Sequence, residues 1–188
     1  MTAHAGHKKP GADELRARAA AVSVLIFDVD GVLTDGGLYY GPEGEALKRF
    51  DVKDGHALVL ARLAGVRTAI LTARTSNIVE VRGKELGLAA VHQGKRDKGT
   101  GLTDLLGELG VEARACAYMG DDLNDLEPMA RVGLAACPSD AASEVRQQAQ
   151  FVSSRPGGHG AARELVELVL KSQNRWTDSS KMVKTGNG

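Results

Sequence analysis

The chain has 188 residues, with 24 Lys plus Arg against 24 Asp plus Glu for a formal net charge of zero, and 43% hydrophobic residues. That suffices for one domain with a sizeable core, and the balanced charge offers nothing to nucleic acid or an anionic membrane. Aromatics at 4% disfavour a stacking platform for single-stranded nucleic acid, and no apolar run approaches the roughly 18 residues of a membrane span.

Residues 1–12, with His4, His7, Lys8, Lys9 and Pro10, read as a disordered lead-in without the apolar segment of a secretory signal. Asp13 to Ala21 reads as a short helix. Val22 to Phe27 is a continuous apolar run, the pattern of a strand buried on both faces, and it ends in two acids, Asp28 and Asp30, before Gly31. Two short runs around Gly41-Pro42-Glu43-Gly44 read as a β-hairpin. Asp54 is placed to cap a helix over Gly55 to Ala64, apolar nearly all round and hence buried, with Gly65 as its stop. Val66 to Leu71 forms a second buried strand ending at Thr72; Ser76 caps the next helix, which runs to Leu86. A short strand (Ala89 to His92) precedes a helix opened by Lys98, and a strand from Ala115 to Met119 ends at Gly120-Asp121-Asp122. Helix, strand, helix and strand follow to Val152, then a glycine-rich loop and a last helix with one apolar face at Ala162, Leu165, Val166 and Val169. The domain spans residues 13–173. Residues 174–188 read as a polar, mobile tail whose first part, Asn174 to Trp176, reaches over a neighbour's site. Cys116 and Cys137 form no CxxC pair and fit reduced thiols in a cytoplasmic protein.

Strands alternating with helices imply an α/β fold, a doubly wound parallel sheet, and ligands in such folds sit beyond the carboxyl ends of the strands. Those ends collect Asp28, Asp30, Thr72, Asp121 and Asp122, with Lys98 nearby. Clustered carboxylates repel unless a cation joins them, and Mg²⁺ takes one or two carboxylates together with waters and substrate phosphate. Phosphoryl transfer is catalysed mainly by positioning and charge stabilisation, so the inventory suits it.

The four segments Asp28-Val29-Asp30-Gly31-Val32, Leu71-Thr72-Ala73-Arg74, Lys98 and Gly120-Asp121-Asp122-Leu123-Asn124-Asp125, in that order, resemble the motifs of the haloacid dehalogenase superfamily. The resemblance covers roughly residues 20–175. It implies Asp28 as nucleophile and metal ligand, Asp30 as general acid and base with its carbonyl on the metal, Thr72 and Lys98 as phosphate binders, Asp121 as the third metal-site carboxylate, and Asp122 and Asp125 as residues that orient the site. Neither Asp30 to Thr72 nor Thr72 to Lys98 has room for the inserted cap domain found in many members, so this is a capless chain. Thr34-Asp35-Gly36, the run from Glu45 through Lys48 and Phe50 to Asp54-Gly55, Gln93-Gly94 and Gly157-Gly158-His159-Gly160 resemble the capless subgroup acting on 3-deoxy-D-manno-octulosonate 8-phosphate. That resemblance implies Asp51, Val52, Lys53, Asp54, Gly55, Arg74 and Arg82 along the substrate, a role in lipopolysaccharide biosynthesis, and a homotetramer in which a neighbouring subunit completes the site. Ala73, Lys53, His56-Ala57 and His159 depart from the residues usual in that subgroup.

A sister subgroup acting on nine-carbon sugar-acid 9-phosphates has similar motifs but tends to carry Glu at the position of Arg74. A receiver-type phosphoacceptor module uses acids, Thr and Lys on the same fold class, but with the acid pair and the acceptor Asp on strands in the opposite order. A non-catalytic scaffold keeping the fold is the third alternative, and the complete motif set argues against it.

Overall fold

A computed structural model of the chain describes residues 9–176; residues 1–8 and 177–188, where parts of the expected lead-in and tail fall, lie outside the described residues. Helix α1 (Ala12–Ala20) leads into β1 (Val24–Phe27). The chain then forms the hairpin strands β2 (Tyr39–Gly41) and β3 (Gly44–Leu47), α2 (Val52–Leu63), β4 (Arg67–Leu71), α3 (Asn77–Leu86) and β5 (Ala90–His92). It continues through α4 (Lys98–Leu109), β6 (Cys116–Met119), α5 (Leu126–Arg131), β7 (Leu134–Cys137), α6 (Ser143–Gln148), β8 (Phe151–Val152) and α7 (Ala161–Ser172).

The main sheet runs in the order β5-β4-β1-β6-β7-β8, and every pairing is parallel. β1 lies at its centre, and all four of its residues are buried. Successive side chains on a strand point to opposite faces. Leu25 and Phe27 accordingly join the core shared with α1, α2, α3 and α7, whereas Val24 and Ile26 join the core shared with α4, α5 and α6. Strands this apolar are stable only with helices over both faces, and the alternating elements supply them. Between β1 and β4 stand only the hairpin and α2, and between β4 and α4 only α3 and β5, so no cap domain covers the strand ends.

Helix α2 begins differently from the expectation of an Asp54 cap. Asp51, not Asp54, caps this helix, its carboxylate accepting from the backbone N–H groups of Lys53 and Asp54. Asp54 is buried inside the first turn, and its two oxygens accept from Gly160 N (3.0 Å) and Arg163 N (2.8 Å). It therefore caps α7, a helix whose preceding residue, Gly160, has no side chain to do so. Helix α2 buries one face, with Val52, Lys53 and His56 exposed, rather than being apolar all round. Ser76 does occupy the residue before α3 but makes no side-chain cap; its hydroxyl donates to Glu45 instead. At the other end, Trp176 packs on its own chain, under Arg163 and Lys171 of α7, so the stretch expected to reach over a neighbour lies against its own last helix.

Candidate active site

Chain reversal directly after β1 builds the centre of the site. The N–H groups of Val32, Leu33 and Thr34 all donate to Val29 O, which tightens the turn. Gly31 adopts φ +86°, and a Cβ there would meet the Asp121 carboxylate; only glycine combines that backbone with that contact. The turn leaves Asp28 buried at the sheet edge, its Oδ1 accepting from Val29 N at 2.7 Å.

Lys98, the first residue of α4, reaches the same point with its side chain fully buried. Its ammonium donates to Asp28 Oδ2 and to Asp125 Oδ1, each at 2.6 Å. Asp125 ends a short 3-10 helix (Leu123–Asp125) that follows β6. Four donors saturate its two oxygens. Lys98 and the Tyr118 hydroxyl (2.6 Å) share Oδ1, while the N–H groups of Asp121 (3.0 Å) and Asp122 (3.2 Å) share Oδ2. Gly120 leaves room for this carboxylate, since a Cβ there would meet it.

Asp28, Asp121 and Asp125 each offer an oxygen within 4.8 Å of the others, against the single positive charge of Lys98. Burial, then the neighbouring Asp125, pushes the Asp28 carboxyl up to about 6 although Lys98 works against the rise. Burial, then the Asp28 and Asp125 charges, pushes Asp121 up to about 8. Such a set is short of positive charge, and all its donors are carboxylate oxygens, the chemistry that a hard divalent cation fits. Because the Asp125 oxygens are already taken by four hydrogen bonds, Asp28 and Asp121 are the carboxylates with capacity left for a metal.

The other expected residues have partners of their own. The Asp30 carboxylate pairs with two cations, Lys48 Nζ at 2.5 Å and Arg74 Nε at 3.4 Å. Asp51, Asp54 and Gly55 line a small crevice with Arg82, whose guanidinium pairs with Glu85 at 2.8 Å and lies over the Phe50 ring. Val52 and Lys53 are exposed beside it. Thr72 is buried at the end of β4, held through its backbone by His92 O and Lys95 N. Asp122 is exposed, and its carboxylate caps the 3-10 helix through Leu123 N at 2.8 Å. Tyr118, the largest of the fully buried side chains, escaped sequence reading because an aromatic inside a buried strand looks like core. Lys48 and Glu45 were visible only as part of a familial run, with no role attached.

A parallel sheet with acids at the ends of its central strands, a buried lysine between them and no cap defines a haloacid dehalogenase-like hydrolase. The family model of that description matches residues 63–165, and the chain belongs to this family. Among its relatives, the 3-deoxy-D-manno-octulosonate 8-phosphate phosphatase KdsC of Yersinia pestis is 39% identical over 166 residues, which cover 88% of this chain and 89% of that protein. The KdsC of Escherichia coli strain K12 is also 39% identical, covering 88% of each chain. The crystal structure of the 3-deoxy-D-manno-octulosonate 8-phosphate phosphatase from Moraxella catarrhalis, in complex with a magnesium ion, a phosphate ion and a KDO molecule, matches with a TM-score of 0.86 at 36% identity, covering 93% of this chain and 99% of that one.

Proposed function

We propose that this protein hydrolyses 3-deoxy-D-manno-octulosonate 8-phosphate to the free sugar acid and inorganic phosphate, through a phosphoryl group carried transiently on Asp28. The observation that carries the reading is the buried Lys98 ammonium set 2.6 Å from both Asp28 and Asp125. It fixes one carboxylate at the open strand edge beside a cation suited to phosphoryl oxygens. The names of the relatives supply the substrate.

In this mechanism an Asp28 oxygen attacks phosphorus, and the bond from phosphorus to the sugar oxygen breaks. Asp30 gives a proton to the departing oxygen, then takes one from the water that attacks the phosphoryl group, releasing phosphate and restoring Asp28. Lys98 and Thr72 hold the phosphoryl oxygens. A bound Mg²⁺, held by Asp28, Asp121 and the Asp30 carbonyl, supplies further neutralisation of the phosphoryl charge. Asp125 and Asp122 orient these groups from behind. Arg74, Arg82 and the stretch Asp51 to Gly55 take the sugar acid, where an arginine fork suits a carboxylate.

Assembly and location complete the reading. Leu38, Tyr39, Tyr40 and Leu47 of the hairpin region are exposed apolar side chains, a surface that supports a homotetramer in which a neighbour covers the open site. Among the described residues no helix is long and apolar enough to cross a membrane; the two cysteines, free and buried, support a cytoplasmic enzyme. Phosphate release across a panel of sugar-acid phosphates tests the reading. The eight-carbon 8-phosphate is expected to give the highest kcat/KM, and a preference for the nine-carbon 9-phosphate would overturn the substrate assignment.

A further inference from the structure

The hairpin does more than present an apolar face. Lys48, directly after β3, has a side chain only 1% exposed, which is unusual for a lysine at the end of an exposed two-stranded ribbon. A buried ammonium persists only when its charge is met, and the partners are Asp30 Oδ1 at 2.5 Å and Glu45 Oε1 at 2.9 Å. Arg74 closes the figure, lying 3.4 Å from Asp30 Oδ2 and 3.6 Å from Glu45 Oε1. Four charges thus alternate in sign around a ring, two from the hairpin and two from the strand ends. Outer ties fix the ring in turn: Ser76 donates to Glu45, and Arg74 donates to the Tyr40 hydroxyl at 2.9 Å. No member of the ring hydrogen-bonds the Asp28–Lys98–Asp125 set. The Asp30 carboxylate is 19% exposed, more than Asp28 at 9% or Asp125 at 0%, and it meets the hairpin through Lys48. A leaving oxygen in line with Asp28 departs on the side of phosphorus away from Asp28.

We propose that Lys48 is a positioning residue for the proposed acid–base chemistry: it locks the Asp30 carboxylate toward the open edge, so that the hairpin, and not the strand end alone, sets where the proton is given and taken. The inference rests on the phosphatase reading, in which Asp30 moves the proton. Arg74 alone cannot provide the lock, because it is more exposed at 39% and divides its donors among Asp30, Glu45 and Tyr40. Glu45 holds Lys48 in place, which gives the run from Glu45 to Lys48 a chemical purpose.

The test is a double-mutant cycle on the full chain with Mg²⁺ and a sugar phosphate, with binding of inorganic phosphate as the check on the fold. Lys48→Met is expected to lower kcat by about tenfold to a hundredfold, inside the range that general acid–base catalysis supplies, with KM and phosphate affinity within about twofold of the parent. In an Asp30→Asn background the same substitution is expected to cost nothing further. Wild-type kcat in Lys48→Met, or an equal loss in both backgrounds, overturns the positioning role. Lys48→Gln, which keeps a donor without the charge, carries the same cycle should the methionine variant lose phosphate binding; an equal loss in both backgrounds overturns the role there too. If Asp30→Asn alone retains full turnover, the assignment of Asp30 fails, and that result is distinct from a failure of Lys48.

Discussion

Asp125 shows how one side chain organises several others. Its two oxygens receive a lysine, a tyrosine and two backbone N–H groups, so it fixes Lys98 and the start of the Asp121 loop together. Tyr118→Phe removes one donor from a charged, buried acceptor, a loss of about 1.5–3 kcal/mol; kcat is expected to fall by about tenfold or more while the fold survives, as steady-state kinetics and thermal melting will show. Lys98→Met is harsher, because it leaves Asp28 and Asp125 buried without a counter-charge, at a cost of about 3–5 kcal/mol. Its expected signature is a lowered melting temperature together with loss of inhibition by inorganic phosphate. The places of Asp28, Asp30, Thr72 and Asp121 just after strands, and of Lys98 at a helix start, were legible in the sequence because each stands where an apolar run stops or a helix starts. Tyr118 and Lys48 were not, since nothing in a strand of apolar residues or an exposed hairpin tells which polar group turns inward.

At the scale of elements, the order of strands and helices could be read from alternating apolar runs and glycine stops. The ends of α2 and α7 could not. Asp51 and Asp54 are both acids where a helix can begin, and the choice between them is made by Gly160 and Arg163, which lie more than a hundred residues further along. Local sequence carries no trace of that partner. Asp54→Ala should therefore act on α7 rather than α2, costing about 0.5–2 kcal/mol as a lost cap. Hydrogen exchange is expected to speed up at the first turn of α7 and to leave the first turn of α2, capped by Asp51, little changed; the reverse pattern would return the cap to α2. Capless architecture was likewise legible from the short spans on either side of Thr72, whereas the ring joining the hairpin to Asp30 and Arg74 needed the folded chain.

For the whole molecule, the acid cluster ties stability to pH and to metal. Burial raises Asp28 to about 6 and Asp121 to about 8, above their unfolded values near 4. A carboxyl raised on folding favours the native state while protonated, so its contribution is complete below about pH 4 and is lost as pH climbs through the folded value. Metal-free protein is accordingly expected to lose melting temperature from these two groups between about pH 4 and pH 8. Mg²⁺ should restore it, by an increment that grows over the same interval as protons cease to compete for the carboxylates. A thermal-shift series with and without the ion checks this, and an increment that does not change with pH would count against Asp28 and Asp121 as ligands.

The proposed chemistry depends on Asp28 carrying the phosphoryl group. Phosphate release from 3-deoxy-D-manno-octulosonate 8-phosphate by folded Asp28→Asn protein, beside the parent chain in the same Mg²⁺ buffer, addresses it most directly. Turnover in the variant is expected to fall to the background of buffer without enzyme; turnover comparable to the parent would contradict the account.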